Sequence, residues 1–188
     1  MDSKSVLIDN DFLQKALEMN QEEEKILYIL SELFCCLELS PVIHPLVREH
    51  EVIDTNITEK VLNNIIDTPT WQDIHQNNTD KKNYYTFLVM ELYTKMFGTN
   101  LEMGEKDVFT YWRRRCSLGE IHALATCMLC ECGMFLSDDK DSKKLQNIIE
   151  YYFSKRINVY TREEIKQIAK ENDVRLSRKE LQSFAHQT

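Results

Sequence analysis

The chain has 188 residues, 43% hydrophobic and 29% charged, and its 31 acidic against 23 basic side chains give a net charge of −8. This is enough apolar content to bury a core in one domain, or one domain with an appendage, and it excludes a disordered chain. The acidic balance argues against a broad electrostatic grip on nucleic acid, which depends on Lys and Arg neutralising phosphates, and no apolar run approaches the ~18 residues of a membrane span.

Four glycines, three prolines and long charged–apolar periodic stretches predict a helix-rich chain. Residues 4–9 read as a short buried strand, apolar through Ser5-Val6-Leu7-Ile8 and ending at Asp9-Asn10. Phe12 to Met19 is helical, with Phe12, Leu13, Ala16 and Leu17 on one stripe. Glu22 to Leu39 is a second helix, its apolar residues recurring at three- and four-residue steps and its acids at the positive N-terminal end. Pro41-Val42-Ile43-His44-Pro45 is too short for a helix and reads as a second strand, followed by a helix from Leu46 to Val52. Thr58 to Trp112 is predicted helical throughout, interrupted at Thr68-Pro69, at Asn77 to Asp80 and at Gly98 and Gly104, with no strand.

Ser117 with Glu120 forms a capping-box pattern for a helix to Cys132, which Gly133 stops. Met134 to Ser137 is a third strand, Ser142 to Lys155 a helix, and Ile157 to Tyr160 a last strand. Thr161 with Glu164, and Ser177 with Glu180, cap two final helices. Short strands alternating with helices imply an α/β fold with a small parallel sheet flanked by helices, since parallel neighbours need helical crossovers. There is no internal repeat and no Gly-rich phosphate loop.

The start, Met1-Asp2-Ser3-Lys4, lacks the layout of a signal peptide, and six cysteines without a secretory context read as reduced thiols, which together predict a cytoplasmic protein. Cys127 and Cys130 share a helical face, Cys132 points elsewhere, and core packing is the reading rather than zinc. Cys35-Cys36 is read the same way. His122 reads as packed or capping, and His44 has no partner that the sequence names.

The acids carry the chemistry. Asp9 ends the first strand, Asp138 a later one, and Glu120 opens the helix between. Open parallel sheets bind ligands beyond the carboxyl ends of their strands, where strand order reverses. Carboxylates that converge there repel unless protonated or bridged by a cation, and Mg²⁺ or Mn²⁺ with oxygen ligands suits phosphodiester hydrolysis. Each acid also has a plainer role: Asp9 as a helix cap, Glu51 as surface charge, Glu120 in its capping box, and Asp138, Asp139 and Asp141 in a turn.

Taken in order, these segments resemble the PIN-domain family of compact metal-dependent nucleases, which includes many bacterial toxins. Leu7-Ile8-Asp9-Asn10-Asp11 is similar to its opening strand, with Asp11 adding charge at a position that is often Asn or Ser. Pro45-Leu46-Val47-Arg48-Glu49-His50-Glu51 is similar to the segment of the second acid, Glu51 or alternatively Glu49. Gly119-Glu120-Ile121-His122-Ala123-Leu124-Ala125 resembles the acid-opened, alanine-rich helix. Phe135-Leu136-Ser137-Asp138-Asp139-Lys140-Asp141 resembles the strand-end acidic motif, with Asp138 at the position and Asp139 or Asp141 assisting. The resemblance covers residues 4–16, 41–52 and 117–160.

The resemblance implies a nuclease domain over 1–160 with a helical insertion at about 53–116, and a C-terminal helical extension over 161–188. It implies an endoribonuclease with Asp9, Glu51, Glu120 and Asp138 as catalytic acids holding Mg²⁺ or Mn²⁺, with Asp139 and Asp141 as further metal ligands. RNA is then the substrate, and Lys140, Lys143 or Arg113-Arg114-Arg115 would steer its backbone. A toxin role would bring a separate protein inhibitor or antitoxin, and family members pair through helices as homodimers. The acidic balance, the helical insertion and apolar stripes at Ile165, Ile168, Ala169, Leu181 and Phe184 leave a second reading, a catalytically silent PIN-like interaction module.

Overall fold

Five short strands make one wholly parallel sheet in the order β3-β2-β1-β4-β5: β1 Ser5–Ile8, β2 Ser40–Ile43, β3 Ile66–Asp67, β4 Met134–Leu136 and β5 Asn158–Tyr160. The structure, a computed structural model, describes residues 5–18, 23–52, 66–67, 70–113 and 117–185. The described helices are α1 Asn10–Glu18, α2 Glu23–Cys36, α3 Pro45–His50, α4 Thr70–Gln72, α5 Thr79–Phe97, α6 Leu118–Cys130, α7 Lys140–Phe153, α8 Arg162–Glu171 and α9 Arg178–Ala185, with a turn of π-helix at Asp73–Asn77.

Both faces of the sheet are covered, so its strands are apolar on both sides. Leu7, Val42, Phe135 and Val159 face Leu88 and Leu92 of α5, Leu124 of α6 and Leu145 and Ile149 of α7. Val6, Ile8, Ile43 and Leu136 face Phe12 and Leu13 of α1, Leu33 of α2, Ile165 of α8 and Phe184 of α9. The alternation of Val6, Leu7 and Ile8 between these two sets is the period-two signature of a strand. The C-terminal helices therefore complete the second core, and the stripe of Ile165, Ile168, Ala169, Leu181 and Phe184 docks on the body. The result is a helix-rich α/β protein consistent with a PIN-like fold. No helix among the described residues is long and apolar enough to cross a membrane.

Four expectations are corrected. The stretch read as strand-free contains β3, too short for periodicity to reveal, held by pairing with β2. After α5 ends at Gly98, in the left-handed conformation at φ 71°, residues 99–113 run as turns rather than helix. Ser117 does not cap α6: it is left-handed at φ 48° and its hydroxyl donates to Asp141 at 2.8 Å. Helix α6 ends on Glu131 at φ 55°, two residues before Gly133. The capping box of Thr161 and Glu164 is complete, and Ser177 and Glu180 bond reciprocally. Predictions over 53–65 and for Arg114, Arg115 and Cys116 lie outside the described residues.

Candidate functional site

Strand order runs outward from β1 in both directions, so the switch point of this sheet lies between β1 and β4. Beyond their carboxyl ends the chain is tied together by hydrogen bonds. Asp9 N–H donates to Leu136 O at 2.8 Å, extending the β1–β4 pairing by one step. The Asp9 carboxylate accepts from the Asn10 N–H at 2.9 Å and from the Ser137 hydroxyl at 3.0 Å. Ser137 Oγ accepts in turn from Ser142 Oγ at 2.8 Å and from Asp139 N–H at 3.1 Å. Asp9 is thus fixed by the strand that follows it in space rather than in sequence.

Around this fixed carboxylate stand four more. Asp11, in the first turn of α1, accepts from Asp138 N–H at 3.3 Å. Glu51 caps the C-terminus of α3, and its carbonyl accepts from Asn10 Nδ2 at 3.3 Å. Glu120 opens α6, and Asp139 caps α7 by accepting from Asp141 N–H at 2.7 Å. Gly119 makes room for Glu51: a Cβ there would lie 2.4 Å from Glu51 Oε1.

The electrostatics record the crowding. Burial, then repulsion from Glu120, Asp11 and Glu51, pushes the Asp9 carboxyl well above the usual range. Burial, then Asp11 and Asp139, lifts Glu51 to about 7. Glu120 stands at about 8, raised by burial and by Glu51, Asp139 and Asp11 against the pull of its own backbone N–H. Mutual repulsion among these carboxylates adds to burial, so the cluster favours retained protons or a cation that neutralises it.

The structure does not gather all the predicted acids. Asp138 turns away from the cluster: its carboxylate accepts from the Arg162 backbone N–H at 2.9 Å and pairs with Arg162 Nε, both side chains being buried. It fastens the end of β4 to α8, and Arg162 Nη1 donates on to Phe184 O at 3.2 Å in α9. Asp139, one residue later, faces Glu51 and Glu120 instead. Asp141 bonds Ser117 and Lys144, and despite partial burial these partners hold its carboxyl below the usual range. Glu49 is exposed on α3, which leaves Glu51 as the acid of that segment in the cluster. Of the lysines suggested for steering, Lys143 is engaged by Glu164 at 3.0 Å and by the Val159 carbonyl. Asp139 is among the metal ligands expected from the sequence, though secondary there to Asp138, whereas Asp11 was legible only as added charge beside Asp9, because sequence gives no direction to adjacent aspartates.

A second polar group was hidden altogether. His44, Tyr85 and His122 form a buried chain, His44 Nε2 to Tyr85 Oη at 3.1 Å and Tyr85 Oη to His122 Nδ1 at 2.6 Å. His44 Nδ1 accepts from Leu46 N–H, so its proton is on Nε2 and donates to Tyr85. The tyrosyl proton then goes to His122 Nδ1, leaving the His122 proton on Nε2, which is buried without a partner. Burial, with His50 nearby, pulls His122 down to about 3, so it stays neutral. Among the cysteines, Cys127 and Cys132 are buried together, both sulfurs approaching the Met134 carbonyl, at 3.9 and 3.3 Å. The expectation that Cys132 points away from Cys127 fails because Cys132 lies past the helix end.

Whether the carboxylate cluster suits a divalent cation turns on its donors. They are hard oxygens throughout, and Asn10 Oδ1 is a further buried acceptor with no donor. Among the described residues, however, no three His, Cys, Asp or Glu side chains are drawn tightly enough to form a ready-made ion cage. The donor chemistry fits Mg²⁺ or Mn²⁺. Comparison of the chain with protein-family models, curated proteins and solved structures finds no match.

Proposed function

We propose that this protein is a metal-dependent endoribonuclease of PIN type. The observation that carries the reading is the convergence of Asp9, Asp11, Glu51, Glu120 and Asp139 beyond the switch point of a parallel sheet, beside a buried acceptor that lacks a donor. Asp9, Glu51, Glu120 and Asp139 are the residues that would hold Mg²⁺ or Mn²⁺, with Asp11 and Asn10 beside them. An ion held there would supply an activated water and a Lewis acid that polarises the scissile phosphate.

The protein's own contribution is to hold carboxylates where water and repulsion would otherwise scatter them. Ser137, itself fixed by Ser142, and the Asn10 N–H orient both oxygens of Asp9. The Gly119 backbone admits Glu51, and the cap on α7 places Asp139. Burial and mutual repulsion raise Glu51 and Glu120 while no cation is bound, so a divalent ion that neutralised them would favour their ionised forms. No protein nucleophile is required. Asp138 supports the site as a structural anchor through Arg162 rather than as a ligand.

The loose spacing of the acids favours one alternative, a PIN-like interaction module without catalysis. Incubating the protein with a mixed RNA pool in Mn²⁺, Mg²⁺ or EDTA separates the two. Cleavage that EDTA abolishes supports the nuclease; intact RNA together with no thermal shift in Mn²⁺ supports the module.

A further inference from the structure

We propose that Cys127 and Cys132 are an oxidisable thiol pair, Cys132 attacking a small hydroperoxide and Cys127 closing the disulfide. The pair stands apart from the carboxylates. Those acids lie beyond the carboxyl ends of β1 and β4, whereas Cys132 precedes β4 and its Sγ bonds the carbonyl of Ser5, the first residue of β1, at 2.9 Å. The thiols are therefore at the opposite edge of the parallel sheet.

Their meeting follows from how α6 ends. Glu131 is left-handed at φ 55°, and the Cys132 N–H turns back to the Cys127 carbonyl at 2.9 Å, the closing bond of a Schellman turn. Such a turn sets the side chains of its first and last residues against each other, a contact usually made by two hydrophobes. Here it is made by two sulfurs, which converge on the Met134 carbonyl at 3.9 Å for Cys127 and 3.3 Å for Cys132. Cys130 is the competing partner for Cys127, but it sits three residues on in the same helix. Helical neighbours at that spacing hold their Cβ atoms about 5–6 Å apart, beyond the roughly 3.5–4.5 Å of a disulfide.

A cavity of about 260 Å³ reaches both thiols, its rim formed by the exposed Glu131, Gly133 and Arg156. A water takes about 30 Å³ in the liquid, so hydrogen peroxide enters with room to spare. Lys155, which donates to the Met128 carbonyl at 2.7 Å, also lines the cavity, so two cations face one acid there, a setting that favours a thiolate. The two sulfurs differ in their readiness to ionise. The Cys127 thiol, donating to Cys132 Sγ, brings Cys132 down to about 7 against its burial, while burial pushes Cys127 well above the usual range. The Ser5 carbonyl accepts only from a protonated Cys132 and opposes this, yet the order of the two holds because Cys127 is wholly buried.

The Cys132 thiolate attacks one oxygen of the peroxide: the S–O bond forms, the O–O bond breaks, and sulfur gives up two electrons. The departing hydroxide takes the proton that Cys132 released and leaves as water. Cys127 then attacks the sulfenic sulfur: the S–S bond forms, the S–O bond breaks, and hydroxide leaves with the Cys127 proton as a second water.

The test treats the reduced full chain, freed of reductant, with one equivalent of hydrogen peroxide, blocks the remaining thiols with N-ethylmaleimide and maps the peptides by mass spectrometry. A Cys127–Cys132 crosslink that dithiothreitol reverses, formed ahead of any change at the exposed Cys35, is expected. In Cys127→Ala the same dose should leave a sulfenic acid on Cys132 that dimedone labels about tenfold faster than Cys130, and in Cys132→Ala Cys127 should stay reduced. A Cys127–Cys130 crosslink, earlier oxidation of Cys35, or unmodified Cys127 and Cys132 in the unaltered chain would overturn the proposal. The crosslink map of the unaltered chain decides the matter even where a variant does not fold.

Discussion

Glu120→Gln should stabilise the metal-free protein in alkaline solution and leave it nearly unchanged in acid. The folded protein holds the Glu120 proton up to about pH 8, whereas the unfolded chain releases it near the ordinary value of 4.5. Between those limits the native state binds more protons, so stability falls as pH rises and levels off above 8. At about 1.4 kcal/mol per pH unit, that interval sets a ceiling of about 5 kcal/mol, which water penetration and relaxation of neighbouring acids reduce to an expected gain of about 2 kcal/mol for the amide. Urea denaturation in EDTA at pH 5 and pH 9 measures it. The variant should be more stable at pH 9 and within about 1 kcal/mol of the parent at pH 5, where the unfolded chain has already begun to release the proton. Mn²⁺ at pH 8 should narrow the difference, because binding stabilises the intact carboxylate cluster more. Equal effects at both pH values, or a loss at pH 9, would refute the idea that repulsion and burial strain this site.

Further variants separate the roles of neighbouring residues. Gly119→Ala should leave thermal stability within about 1 kcal/mol, since helix propensity offsets a shift of the flexible Glu51 end, yet lower RNA cleavage at least tenfold by displacing that carboxylate. Asp138→Ala should cost about 3–5 kcal/mol of stability by stranding buried Arg162, seen as a lower urea midpoint. Asp139→Asn should fold as well as the parent but weaken Mn²⁺ binding in a calorimetric titration; the opposite ranking of these two aspartates would reverse their assignment. Tyr85→Phe should cost about 2–4 kcal/mol in chemical denaturation, because both His44 and His122 lose their partner.

The elements that fix the sheet were readable because each is short, apolar and closed by a strong signal. Val6-Leu7-Ile8 before Asp9, and the proline-bounded Pro41 to Pro45, leave little alternative to a buried strand. The capping box at Thr161 and Glu164 likewise forms from local chemistry alone. What local chemistry cannot decide is direction. Ser117 has the residue type of a cap, but its hydroxyl is claimed by Asp141 from a distant helix. Asp138 and Asp139 are identical side chains at adjacent positions, and only the buried guanidinium of Arg162 determines which faces the pocket. His44 and Tyr85 meet across 41 residues of sequence with no periodicity linking them. The candidate site was therefore visible as a set of acids at strand ends, while long-range contacts decide which of those acids face one another.

The most direct measurement is the rate of RNA cleavage against Mn²⁺ concentration for the protein and for Asp9→Asn. Asp9 is fully buried among like charges, so the amide should fold at least as well while removing the central oxygen donor. Saturable, EDTA-sensitive cleavage that falls at least a hundredfold in a folded Asp9→Asn protein is the predicted result. Cleavage that persists in the variant, or that needs no divalent ion, would contradict the account.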